Sequence, residues 1–155
     1  MSENRPNMES EGFNVAQFEE LVMLMVWRQR RRFGQSLSTL GLTMPQFLAL
    51  MFVKAHGSGC AMGDLAESTE QCSATMTGIV DRLANMGLVK RERDASDRRS
   101  VIVVLTGAGD ALLEKAKAER VERTRHLLSH FTPEELQTNL DLLVRYLDVL
   151  SSDAG

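Results

Sequence analysis

The most constraining stretch of the 155-residue chain lies between Ser73 and Leu105. Met76, Ile79, Val80 and Leu83 fall on one face of a helix. Gly87 follows where such a helix would stop. Leu88–Arg93 then passes from Leu and Val into Lys, Arg and Glu, and Val101–Leu105 is apolar and mostly β-branched. Between them, Asp94–Ser100 is polar and carries Arg98 beside Arg99. The pattern predicts a helix passing through a glycine into a hairpin with a basic tip. The helix's other face (Ala74, Thr77, Gly78, Asp81, Arg82, Asn85) is small and polar, so another surface can approach it closely.

The flanking segments read as helices. Residues 1–12 read as a polar, disordered arm. From Phe13 to about Leu40, apolar residues recur at three and four, and Gly41 is a stop. Thr43-Met44-Pro45-Gln46 fits a capping box, with Leu42 and Phe47 placed as a hydrophobic staple, and opens a helix to about His56. Gly57-Ser58-Gly59 is a turn, and a short helix is predicted over Met62–Thr69 before the one at Ser73–Met86. Thr106 caps a long helix to about His130, and Thr132-Pro133-Glu134-Glu135 opens a last one. That last helix spaces Leu136, Leu140, Leu143, Leu147 and Leu150 as a coiled-coil-like seam, which needs a partner. The expected division is 1–12 arm, 13–42 N-terminal dimerisation helix, 43–106 winged helix–turn–helix, 107–151 C-terminal dimerisation helices and 152–155 tail.

Composition narrows the function classes. The longest apolar runs, Leu21–Trp27 and Phe47–Val53, fall far short of the ~20 residues that span a bilayer. The N-terminus lacks the basic start and apolar core of a signal peptide, and two cysteines make no disulfide framework, so a cytoplasmic protein is expected. The net charge of −3 is uneven: Leu88–Ser100 alone holds five basic and three acidic residues, one place for a polyanion to bind. An enzyme is not expected. Gly107-Ala108-Gly109 starts like a dinucleotide fingerprint, but Leu112 stands where the third glycine belongs, and no nucleophile motif occurs.

A helix pair followed by a hairpin is a winged helix, so the expected fold is mostly α with a small β wing. The second helix of such a pair enters the major groove, where base edges carry a full hydrogen-bonding code, and the wing reaches the flanking backbone or minor groove. The ordered set Leu42-Thr43 with Gln46, Asp64-Leu65-Ala66, Thr77, Val80-Asp81-Arg82-Leu83, Gly87-Leu88-Val89-Lys90-Arg91, Asp97-Arg98-Arg99 and Leu105-Thr106 resembles the signature of the multiple-antibiotic-resistance regulator (MarR) family. The resemblance covers roughly residues 13–151. It implies a homodimeric transcription regulator, usually a repressor, that binds a pseudo-palindromic operator on double-stranded DNA and is released by a small aromatic or phenolic ligand or by an oxidant. It places Ser73, Ala74, Thr75, Thr77 and Gly78 toward DNA, with Arg82 and Arg98 beside them, Arg99 in the minor groove and Asp97 bracing the wing. Thr69 and Gln71 stand where that turn usually carries apolar residues, and Gly78 where arginine is frequent. A winged helix used only for protein–protein contact is the competing reading.

Other residues divide between chemistry and structure. Arg28, Arg30, Arg31 and Arg32 read first as a solvated face, and Trp27 as a core or interface residue. Their sharper reading is a ligand site at Trp27 and Arg28, in the pocket that the resemblance implies between the first, second and fifth helices. His126 and His130, spaced i, i+4, share a helix face but have no evident third metal ligand. They read as histidines favoured near a helix C-terminus, and neither a metal nor a cofactor is expected. Cys72 falls at the N-cap of the recognition helix, where the helix dipole favours thiolate, making it a candidate redox switch.

Overall fold

The structure is a computed structural model that describes residues 14–57, 59–93 and 101–152. Among these the order is α1 (Val15–Thr39), α2 (Met44–His56), β1 (Cys60–Ala61), α3 (Met62–Ser68), α4 (Ser73–Asn85), β2 (Val89–Arg93), β3 (Val101–Leu105), α5 (Gly107–Leu128) and α6 (Pro133–Ser152). The chain divides after Leu113 into two compact units.

In the first unit the helix ends follow from local chemistry. Asn14 caps α1 by accepting from the Gln17 amide at 3.0 Å. The capping box of α2 is reciprocal: Thr43 Oγ1 accepts from the Gln46 amide at 3.4 Å, and Gln46 Oε1 accepts from the Thr43 amide at 2.8 Å. Helices α1 and α4 end alike. Gly41 (φ 73) and Gly87 (φ 72) take the left-handed conformation, and the amides of Leu42 and Leu88 reach back to the carbonyls of Leu37 and Leu83.

The core gathers around α2, which packs on α3, α4 and β3. Leu50, Val53, Leu65, Met76, Val80, Leu83 and Val103 are almost completely buried. The predicted inner stripe of α4 is therefore the buried one, and Ile79 completes it at 9% exposure. Phe33 meets Phe47 edge-on with ring centres 5.0 Å apart, which anchors the end of α1 to α2.

The sheet has three strands in the order β1-β3-β2. The hairpin pairs Val89 with Leu105 and Arg93 with Val101. The first strand was not foreseen. Cys60 and Ala61 pair with Val103 and Ile102, and two residues are too few to show alternation. Their pairing makes β3 the central strand, which explains its unbroken Val-Ile-Val-Val-Leu sequence.

The start of α5 is joined to the turn after α4. The Thr106 amide donates to the Leu88 carbonyl at 3.1 Å. The Thr106 hydroxyl donates to the Gly87 carbonyl at 2.7 Å and accepts from the Gly109 amide at 3.1 Å. Lys54 on α2 pairs with Asp110 at 2.7 Å.

In the second unit, Thr132 and Glu135 form the predicted capping box at 2.8 and 3.3 Å. No residue of α6 is buried. Leu140, Leu143, Leu147 and Leu150 of the seam are about half exposed, and Leu142, Tyr146 and Val149 add an apolar strip beside them. No single helix among the described residues is long and apolar enough to cross a membrane.

The close approach at Gly109 gives a test. A Cβ there would overlap the Leu88 carbonyl oxygen and lie 2.8 Å from Leu105 Cδ1, whereas one at Gly63 meets nothing within 4 Å. Gly109→Ala should destabilise by about 3 kcal/mol, and Gly63→Ala should be neutral or slightly stabilising. Thermal melts at equal protein concentration check this; equal midpoints for the two variants would contradict it.

Candidate nucleic-acid interface

The site is built from α3, the turn Thr69–Cys72, α4 and the stem of the hairpin. The polar turn residues are satisfied within the fold. Thr69 is buried, and its hydroxyl donates to the Leu65 carbonyl at 2.7 Å. Gln71 Nε2 donates to the Thr69 carbonyl at 3.3 Å. These bonds let polar side chains occupy positions that apolar ones would otherwise fill. Glu70 adopts φ 53, and the Gln71 amide closes the turn on the Ala66 carbonyl at 2.9 Å. That conformation favours glycine, so a glutamate there stores a small strain in the turn that aims α4.

On α4, Ser73, Ala74, Thr75, Thr77, Gly78 and Arg82 are all exposed, as the sequence places them. The Thr77 hydroxyl donates back to the Ser73 carbonyl at 2.9 Å. Nothing lies within 4 Å of a Cβ built at Gly78. Packing therefore does not require glycine there, although glycine costs a helix interior about 1 kcal/mol relative to alanine. What glycine provides is a shallow spot on the outer face.

Charge on the face is partly tied up. Arg91 on β2 pairs with Asp81 on α4 at 2.5 Å, fastening the hairpin stem to that helix. Lys90 pairs with Glu92 at 2.5 Å. Both pairs are well exposed, so their worth is orientation more than stability. Arg82 and Arg93 make no ion pair among the described residues. The Asp81–Arg91 pair was missed in the sequence, because it depends on how α4 and β2 meet in space. Asp97, Arg98 and Arg99 lie outside the described residues.

Cys72 is the N-cap of α4, as expected, but its side chain makes no capping bond. Its sulfur lies 3.1 Å from Thr75 Oγ1. That hydroxyl is the main reason its pKa is lowered, and the amides of Thr75 and Ala74 add to it. The direction agrees with the sequence reading, while the leading cause is a side-chain partner rather than the helix dipole. Cys60 is the opposite case: burial first, then the Asp64 carboxylate, raise its pKa.

The Trp27 site also differs. The ring is 57% exposed. The cation over it is Arg31, 5.6 Å from the ring centre, rather than Arg28. Residues 27 and 31 are one turn apart, the spacing that lets an arginine fold onto an aromatic ring.

A buried helix pair presenting a small polar helix face, followed by a β wing, defines a winged-helix DNA-binding protein. Comparison with known proteins places it more closely. Residues 40–100 match the model of the MarR family. The chain is 33% identical over 112 residues to the HTH-type transcriptional regulator YfiV of Bacillus subtilis (strain 168), covering 70% of this chain and 69% of that one. It is 32% identical over 102 residues to the transcriptional repressor MdtR of the same organism, covering 66% and 65%. An S. aureus MepR mutant bound to an oligodeoxyribonucleotide superposes with a TM-score of 0.70 at 25% identity, covering 86% of this chain and 97% of that one. The chain belongs to the MarR family and is a transcription regulator, not an enzyme.

The contrast between the two thiols can be measured. With iodoacetamide, Cys72 should alkylate quickly, and should stay reactive to lower pH than an ordinary thiol because its thiolate is favoured. Cys60 should react only on unfolding. Peptide mapping after brief labelling reads both sites; comparable labelling of the two would contradict the assignment.

Proposed function

We propose that the protein is a repressor that binds a pseudo-palindromic operator as a homodimer, with α4 in the major groove and the hairpin tip on the flanking DNA. The observation that carries this reading is the outer face of α4, exposed and small from Ser73 to Arg82 while its inner stripe is buried. Ser73, Thr75 and Thr77 offer hydroxyls for bases or phosphates, and Gly78 lets the duplex come close. Arg98 and Arg99 extend the contact from the tip, with Asp97 bracing it. A protein-contact role would not call for this basic hairpin beside a flat polar helix.

Dimerisation rests on apolar surface. Leu21, Met23, Leu24, Met25, Val26 and Trp27 are exposed on α1. On α6 the exposed apolar side chains cover more than the single seam first recognised. Apolar side chains exposed in this number on a helix mark an interface. Release is by an aromatic ligand or by an oxidant, and the exposed, acidified Cys72 at the head of α4 favours the oxidant.

Fluorescence anisotropy with a selected operator over a salt series tests the DNA reading. Arg99→Ala removes one cation from each protomer of the dimer, so it should weaken binding and reduce the salt slope by about 1.8, two phosphates' worth of counterion release. Gly78→Ala should melt at a higher temperature yet bind DNA less well. Wild-type affinity in both variants would contradict the reading. Mild peroxide should lower the affinity of wild type but not of Cys72→Ser; equal loss in both, or none, removes the redox step.

The dimer has its own test. Leu143→Glu places a charge at the centre of the α6 seam and should give monomer or aggregate in sedimentation. An intact folded dimer would move the interface elsewhere.

A further inference from the structure

Helix α5 ends at Leu128, and the chain makes one more turn before α6. His126 lies in the last helical turn and His130 just beyond it. Their rings face each other with centres 5.5 Å apart and planes 27° apart. Two imidazoles on one tetrahedral ion, with metal–nitrogen bonds of about 2.0–2.1 Å, have ring centres roughly 5 Å apart. The observed separation is close to that, and the two exposed rings turn out of their stack to point one nitrogen of each at a shared ion.

The hydrogen bonding of His130 prepares it as a ligand. Its Nδ1 lies 3.0 Å from the His126 carbonyl oxygen and 3.2 Å from that of Leu127. Both oxygens can only accept, so Nδ1 carries the proton, and the neutral ring keeps its lone pair on Nε2. A backbone carbonyl on Nδ1–H is the way proteins fix the tautomer and orientation of metal-bound histidine. The His126 ring makes no hydrogen bond among the described residues, so either nitrogen can be offered. The carbonyls ending α5 add a partial negative charge that favours a cation. Arg125, next to His126 in the chain, is paired with Glu122.

We propose that His126 and His130 together bind one divalent transition-metal ion of the zinc, nickel or copper(II) class. No group of three or more metal-ligating side chains occurs among the described residues, so the ion has two protein nitrogens and its other positions are open to water. Such an ion cross-links the last turn of α5 to the chain leading into α6. It stiffens that turn and binds reversibly rather than as part of the folded core.

The test uses the full chain carrying Cys72→Ser, so that the exposed thiol does not compete for the metal. Chelator-stripped protein is titrated with zinc chloride, and then with nickel chloride, by calorimetry. The expected result is one ion per chain and a metal-dependent rise in melting temperature. His126→Ala and His130→Ala should each weaken binding by about tenfold or more. The metal-free melting temperature of His126→Ala should match the parent's, and that of His130→Ala should fall only slightly, for the lost bonds to exposed α5 carbonyls. No saturable binding, or binding that both alanine variants retain, overturns the proposal.

Discussion

The burial of one stripe on α4 governs the rest of the structure. Met76, Val80 and Leu83 are held against the core that α2 organises, and Ile79 lies at its edge. A helix has only one rotational setting that buries this stripe, so the outer face is fixed with no further interaction needed. The small size of that face is then not a by-product of packing. Gly78 illustrates this, since nothing in the fold occupies the space its side chain would take.

Two devices connect this helix to its surroundings. The glycine turn at its end delivers Leu88 into the core, and Thr106 and Gly109 then close on the same turn from the start of α5. The Asp81–Arg91 pair holds the hairpin stem at a set angle to the helix. Helix, turn, stem and the first residues of α5 thus share short contacts, which joins them firmly through individually weak interactions.

Much of this was legible in the sequence because it rests on local rules. The capping boxes at Thr43 and Thr132, the glycine stops at Gly41 and Gly87, and the inner stripe of α4 each need only a few neighbouring residues. What was not legible depends on distant segments meeting. Strand β1 is visible only from its partner β3. The Asp81–Arg91 pair crosses from helix to strand, and the choice of Arg31 over Arg28 at Trp27 turns on a side-chain conformation. At Cys72 the position was readable from the capping rule, but the role of the Thr75 hydroxyl was not. At His126 and His130 the spacing was readable, whereas the tautomer of His130 needed the carbonyl positions.

The central claim is that two copies of α4 read one duplex across a two-fold axis. Hydroxyl-radical footprinting on a selected operator tests it most directly. The account predicts two protected patches on each strand, related by a dyad and centred about 10 bp or a multiple of that apart. A single asymmetric patch, or protection that follows no sequence, would contradict it.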